Sequence, residues 1–460
     1  MSVSAYNQID CPLKPIFTIV LVSCQIIWLV QFSALGQPQQ LPGVRGGTDT
    51  PPVNERFKEV LISPNPHFGI VQAETLGLPS EFTGDATAKF NAALSMPGID
   101  TVTFCGRYIV NGVIVPPGKR LEGCNMSRAT LLGTSGNSDF VVSVSDGSSL
   151  ARMTINGNAV LDKGVAIKGD SVRISEVSSM YSDKCFYNEK GNVSILIGNL
   201  HNDCHYGFYS ADNWVNSVIM NHIGANGSNT NGSTTPSYGF YWTYEKQQPQ
   251  AIRLTSSQSY GDAYGIYFKK DAYAVSIRDV ILDGIGAAGI TFDTTPCVTK
   301  NAPSNVFISG SYITGVQAAV RFRARGPNCA SSIQAYNQLV IRENQLVGNI
   351  GIAVEANSRS RSANITISDN SFTAGPSPST AIFLDSPYGA WIERNSFALD
   401  PNIKKNPGVD IQVGTSFSGV AYSDPVNPPI EIRFNRFEKP GRRVSPSNVN
   451  LFGNIGSSQR

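Results

Sequence analysis

A short motif recurs along most of this chain, and its spacing limits the folds available. An apolar-x-apolar strand is followed three residues on by a small or polar turn residue, then by another apolar two further. It occurs at Val275/Ile277/Val280/Leu282, Val306/Ile308/Ser311/Ile313, Leu339/Ile341/Asn344/Leu346 and Ile365/Ile367/Asn370/Phe372. Ala390/Ile392/Asn395/Phe397 and Ile430/Ile432/Asn435/Phe437 repeat it, with weaker copies near Ile155, Ile174, Ile195, Val218 and Leu254. Typical steps between anchors, such as 174 to 195 or 367 to 392, are about 21 to 26 residues. Between copies lies a second pattern, a Gly or Ala opening an alternating strand: Gly207-Phe208, Gly239-Phe240, Gly265-Ile266, Gly289-Ile290, Ala319-Val320, Gly351-Ile352 and Ala381-Ile382. Short strands that recur at one-coil spacing, with inward and outward residues alternating, predict stacked coils whose equivalent positions sit about 4.8 Å apart.

The expected fold class is therefore all-β: a right-handed, single-stranded parallel β-helix, its hand set by the preference of parallel crossovers. Asn344, Asn370, Asn395 and Asn435 fall at equivalent turns, where stacked carboxamides can satisfy one another as an internal ladder. An N-terminal capping helix is expected after Asp85, with Ala88, Phe90 and Leu94 on its apolar face. Short strands at Thr101–Phe104, 108–110, 119–122 and 130–132 follow it. The long step from 218 to 254 implies an outward loop, with residues 224–237 as the candidate; 282–306 is a second insertion.

Four regions are expected: 1–36 a signal peptide or signal anchor, 37–79 a linker and lead-in, 80–455 the β-helix, and 456–460 a tail. Lys14 precedes an apolar run from Ile16 to Phe32, and Ala34-Leu35-Gly36 supplies small residues before Gln37. Such a segment directs the chain to a secreted, extracellular or periplasmic location. The remaining cysteines are then disulfide candidates: Cys105, Cys124, Cys185, Cys204, Cys297 and Cys329. Sequential pairing is favoured, because 105 to 124 and 185 to 204 are each about one coil apart. A net charge of +2 with 15% charged residues is too balanced for nucleic-acid binding through phosphate neutralisation. No dense basic block suggests a membrane surface once the signal is removed.

The pattern resembles the right-handed β-helix superfamily of pectate lyases, family-28 polygalacturonases, alginate epimerases and phage tailspikes, over roughly residues 80 to 455. Gly84-Asp85-Ala86-Thr87-Ala88, Val115-Pro116-Pro117-Gly118 and residues 150–158 look like entry coils of the pectate-lyase-like group. The resemblance implies a polysaccharide partner and a chain that is monomeric or, like tailspikes, homotrimeric. The paired-aspartate, Gly-His-Gly and Arg-x-Lys signatures of the polygalacturonases are not found. Neither are a pectate-lyase calcium cluster or the Asp-Pro-His-Asp of the epimerases.

Aligned on the Gly-Ile strands, two outward columns emerge. One holds Tyr209, Tyr241, Tyr267, Thr291, Arg321, Ala353 and Phe383; the other Ala211, Thr243, Lys269, Asp293, Arg323, Glu355 and Asp385. A tyrosine row suits sugar rings by stacking and hydrogen bonding, and equally suits a ladder that only supports its strands. Asp293, Glu355 and Asp385 are candidate catalytic carboxylates. Neighbouring coils put such groups about 5 Å apart and alternate coils about 9–10 Å apart, near the separations that retaining and inverting glycosidases use. Tyr209, Tyr241, Tyr267, Lys269, Arg321 and Arg323 are the candidate substrate-binding residues. The expected function is a secreted carbohydrate-active protein that cleaves a polysaccharide by carboxylate acid/base hydrolysis. Two alternatives stay open: a metal-independent lyase on uronates, with Tyr267 or Lys269 as base and Arg321, Arg323 and Arg325 holding carboxylates, and a non-catalytic carbohydrate-binding adhesin. No cofactor or metal is expected; His201-Asn202-Asp203-Cys204-His205 has ligand-type residues but reads as a turn holding a disulfide cysteine.

Overall fold

The computed structural model describes residues 69–77, 82–190, 192, 194–211, 218–227, 236–244, 248–270, 272–294, 303–323, 334–355, 361–374, 380–385, 387–398, 410–414, 430–437, 444–445 and 450–455. Residues 1–36, Cys297, Cys329, Arg325 and, within the two expected insertions, residues 228–235, 245–247 and 295–302 lie outside these. Among the described residues, every strand pairing is parallel. Each coil gives one strand to each of three sheets, and the next coil adds in register, forming a right-handed parallel β-helix. One coil runs through Tyr273–Arg278, Ile281–Asp283 and Ala288–Asp293. In the first sheet Ile277 pairs with Ile308, Ile341, Ile367, Ile392 and Ile432 in turn. In the third, Ile266, Ile290, Val320, Ile352, Ile382 and Ile411 do the same. These residues are fully or almost fully buried, so the core is a set of apolar stacks that lengthens with each coil.

The asparagine ladder forms and is longer than the motif suggests. The Oδ1 of Asn370 accepts from both the backbone N–H and the side-chain Nδ2 of Asn344, at 3.0 Å each. Asn395 serves Asn370 in the same way, Asn435 serves Asn395, and Asn454 serves Asn435. Each Nδ2 also donates to the carbonyl of an isoleucine one coil back, Ile341 in the case of Asn370. The residue before each rung has a left-handed backbone: Glu343, Asp369, Arg394, Phe434 and Gly453 have φ between 53° and 59°. The ladder thus sits in a sharp, repeated corner whose backbone groups would otherwise be buried without partners.

Several local expectations change. The helix spans Thr87–Ser95, and its buried face is Phe90, Ala93 and Leu94, while Ala88 is exposed. Phe90 packs edge-on against Phe104 and Tyr108, and Asn91 accepts from the Ile114 N–H on the first strand of the third sheet. Asp85 accepts from the Thr87 N–H, but the N-cap position itself is Ala86. Strand pairing begins before residue 80, because Ile70–Gln72 pairs with Thr101–Thr103. Gly224–Gly227 is a strand paired with Leu200–Cys204, not loop, since a coil must supply its second-sheet rung before an insertion can leave. Leu200–Cys204 is likewise a strand where a turn was expected, with the bend confined to Asp203 at φ 54°. Disulfides join Cys105 to Cys124 and Cys185 to Cys204, each across neighbouring coils, with Cα separations of 5.2 and 5.9 Å. No helix among the described residues is long and apolar enough to cross a membrane.

His201 and Asp262 are ionisable groups buried within the coils. Burial pushes the His201 imidazole down to about 3; its Nε2 has no partner among the described residues. Burial likewise pushes Asp262 up to about 6, even though the Ser259 hydroxyl donates to it at 2.6 Å.

Two predictions follow from these buried groups. Asn370→Ala removes the acceptor for two donors of Asn344 and should cost about 2–5 kcal/mol, read as a lower urea midpoint. For pH, the unfolded chain protonates histidine below about 6.5 while folded His201 stays neutral, so its contribution falls with acid. Asp262 has the opposite sign, because the folded state keeps a proton that the unfolded state has lost. The two offset each other between about pH 6 and 4. Asp262→Asn should leave the contribution of His201 unopposed by Asp262, a loss of up to about 1.4 kcal/mol per pH unit in that window, measured by urea unfolding at pH 6 and pH 4.5.

Candidate functional site

The third sheet carries the charged and aromatic residues of interest, and its strands do not alternate strictly. In Tyr206–Ser210 both Gly207 and Phe208 face inward, so the outward residues are Tyr206 and Tyr209. Gly207 is needed there: a Cβ would fall 1.6 Å from the His201 ring. The same break recurs in Tyr238–Trp242 and Tyr264–Lys269. Two tyrosine ladders result where one was expected. Tyr187, Tyr209, Tyr241 and Tyr267 stack with ring centroids 5.0–5.6 Å apart. Beside them Tyr206, Tyr238 and Tyr264 stack at 5.2 Å and within 9° of parallel. The ladders meet edge to face, for example Tyr238 against Tyr241 at 4.9 Å. The signal for the second ladder was present as Tyr-Gly-Phe-Tyr, Tyr-Gly-Phe-Tyr and Tyr-Gly-Ile-Tyr, with the tyrosine before each glycine.

This geometry changes how the tyrosines can meet a ligand. Rings about 5 Å apart cover one another's faces, leaving no room for a sugar between them. What the surface offers is a strip of ring edges and phenol oxygens. Burial above all raises the phenols of Tyr187, Tyr206, Tyr209, Tyr238, Tyr241 and Tyr267: Tyr209 and Tyr238 reach about 12, and Tyr241 goes higher. They stay protonated at any ordinary pH and act as neutral donors and acceptors.

At the N-terminal end the strip meets a charged cluster. Lys184 bonds Asp162 and Asp183, both at 2.8 Å, and His205 Nδ1 lies 3.2 Å from Asp183. The His205 contact leads in holding Asp183 down at about 2. His205 Nε2 is 2.6 Å from the Pro236 carbonyl oxygen, and its ring rests on Tyr206.

The other end carries the carboxylates. Beyond Tyr264 and Tyr267 the register continues into Ala288 and Thr291, which ends both ladders. The Tyr267 hydroxyl donates to Asp293 Oδ2 at 2.9 Å, and Arg323 Nη1 lies 3.6 Å from that oxygen. Burial, and then Asp293, pushes the Tyr267 phenol up strongly, which opposes its use as a base. Glu355 is held bidentately by Arg321, Nε to Oε1 at 3.1 Å and Nη2 to Oε2 at 3.2 Å. The strand register runs Lys269, Asp293, Arg323 and Glu355 on successive coils. Lys269 and Arg323 are exposed, Asp293 and Glu355 nearly buried. Asp385 is completely buried, so it is not on the open face where it was expected. Among the described residues no group of three His, Cys, Asp or Glu side chains could hold a metal ion.

No protein-family model and no curated protein sequence matches the chain. Among solved structures, it superposes on the A-module of mannuronan C-5 epimerase AlgE6 from Azotobacter vinelandii with a TM-score of 0.52 and 12% identity. That match covers 85% of this chain and 99% of the module. Polygalacturonase from Erwinia carotovora ssp. carotovora matches with a TM-score of 0.44 and 10% identity, over 81% of this chain and 95% of that one. ORF18 of Geobacillus virus E2 matches with a TM-score of 0.36 and 16% identity, over 58% of this chain and 59% of that chain's length. The likeness to the epimerase module is one of fold and agrees with the three-sheet β-helix.

Tyr241, stacked on both sides, should separate ring from hydroxyl. Tyr241→Ala should cost about 3–5 kcal/mol, whereas Tyr241→Phe should stay within about 1 kcal/mol, both read from urea unfolding.

Proposed function

We propose that this protein binds a polysaccharide along the double tyrosine strip, outside the cytoplasm. The observation that carries this reading is the strip itself: seven phenols in two rows, rising one rung per coil along one sheet. A polymer of hydroxyl-bearing rings needs such a repeating row of neutral donors and acceptors beside apolar edges. The coil spacing of about 4.8 Å is of the same order as one sugar residue, so successive rungs can meet successive sugars. The epimerase module of the same fold takes its name from a polysaccharide, mannuronan. Two disulfides support an oxidising compartment.

A second reading is hydrolysis at the C-terminal end of the strip. It is favoured by Asp293 and Glu355, separated by the single rung of Arg323. Two rungs correspond to about 9–10 Å of backbone, at the upper edge of the separation that leaves room for a water between acid and base in an inverting glycosidase. Asp385, fully buried, takes no part. A lyase with Tyr267 as base is the weaker reading, because that phenol holds its proton tightly; a lyase would have to use Lys269.

The test is incubation of the protein with a panel of neutral and uronate polysaccharides. Binding, reducing ends and the ultraviolet absorbance of unsaturated uronates are followed together. Binding that Tyr209→Phe/Tyr241→Phe weakens is the expected result; no binding to any member overturns the proposal. New reducing ends without absorbance, lost by about a hundredfold or more in Asp293→Asn or Glu355→Gln, would establish hydrolysis. Absorbance would establish a lyase, and binding without either signal a non-catalytic binder.

A further inference from the structure

A second cleft lies on the first sheet, away from the tyrosine strip. It has a volume of about 470 Å³ and is lined by Asn305, Phe307, Gln338, Val340, Asn364 and Thr366. Phe307, Val340 and Thr366 are successive rungs of one outward column. The three carboxamides form a column beside them, each at a left-handed kink: φ is 55° at Asn305, 56° at Gln338 and 55° at Asn364. The kink repeats at Ala274 and Gly389, at 54° and 77°. It turns an extra side chain outward on every coil, so the cleft has two rows where a regular strand would give one.

The backbone explains part of this composition. Asparagine and glycine tolerate a positive φ better than other residues. It does not explain Gln338, whose longer side chain has no such preference, and Ala274 shows that the kink needs no carboxamide. Among the described residues, neither the Asn305 nor the Gln338 side-chain amide has a hydrogen-bond partner. Asn364 Nδ2 donates to Asn337 at 3.0 Å. Phe307 is fixed between the guanidiniums of Arg278 and Arg342, 4.7 and 4.9 Å from its centroid. Each of those arginines has an acidic neighbour in sequence, Asp279 and Glu343, and no ionisable side chain lines the cleft.

Carboxamides that both donate and accept, set beside a short apolar strip whose flanking guanidiniums are engaged on Phe307, match one ligand chemistry. They can grip vicinal hydroxyls while Val340 and the Thr366 methyl meet the C–H face of a ring. We propose that this cleft is a second carbohydrate site, taking an uncharged pyranose residue, with Gln338 and Asn305 as its hydroxyl-binding groups. The inference rests on reading the chain as a polysaccharide binder and adds a contact on a different sheet.

The test is titration calorimetry of the full chain with neutral and uronate oligosaccharides. The wild type is compared with Asn305→Ala/Gln338→Ala and with Tyr209→Phe/Tyr241→Phe. The expected result is that Asn305→Ala/Gln338→Ala weakens a neutral oligosaccharide about tenfold with the cooperative unfolding transition retained and little dependence on salt. Uronate binding at the tyrosine strip should survive that change. Neutral binding that resists Asn305→Ala/Gln338→Ala but falls with the tyrosine pair overturns this proposal and leaves the strip. Binding of uronates alone, weakened only by the tyrosine pair, does the same. No binding of either class overturns both.

Discussion

Everything in this protein depends on parallel strands meeting in register from coil to coil. Parallel pairing places a residue directly beneath its equivalent one coil on, about 4.8 Å away. Each position must therefore hold a group that tolerates its own kind as neighbour. Carboxamides do, because they donate and accept at once; hence Asn344, Asn370, Asn395, Asn435 and Asn454 form an unbroken chain. Aromatic rings do, as the buried Phe268, Phe292 and Phe322 show at 4.6 and 4.9 Å. Like charges are tolerated only with compensation, as where Lys163 and Lys184 pair beside Asp139, Asp162 and Asp183, and the outward run Lys269, Asp293, Arg323, Glu355 alternates in sign.

That same constraint decides what could be read from the sequence. Self-tolerant groups leave a chemical signature, so the apolar anchors, the asparagine rungs and the coil length were legible. The column of left-handed residues was not. Glu343, Asp369, Arg394 and Phe434 occupy it with nothing in common, because the corner is enforced by the asparagine bonds that follow it and any side chain can point to solvent. The second tyrosine ladder was missed for a different reason. Strict alternation puts Tyr206 on the same face as Phe208, whereas the chain turns Gly207 and Phe208 both inward. Gly207 does so because His201 fills the space a Cβ would need, a contact between sheets that no local pattern encodes.

The candidate site was half legible. The columns align as their spacing required, but spacing says nothing of ring orientation or partner choice. Tyrosines that looked like a stacking platform spend their faces on each other. Glu355 pairs with Arg321 because both lie near the surface on adjacent coils and the guanidinium can reach both oxygens at once. Asp385 shares the column yet is buried.

A self-stacking column explains its own members, so a recurring tyrosine or asparagine needs no ligand to account for it. Interruptions are different, because the neighbouring rung no longer supplies the reason. The tyrosine ladders stop at Ala288 and Thr291, and the column of Thr291 turns charged at Arg321 one coil later. The kinked column runs alanine, asparagine, glutamine, asparagine, glycine, and the glutamine, like the alanine, is a residue that this backbone conformation does not favour. Stacking gives stability in proportion to regularity; recognition of a ligand requires a place where the surface differs from the coil before it. In a fold built by repetition, the breaks are therefore where a search for chemistry has most to gain.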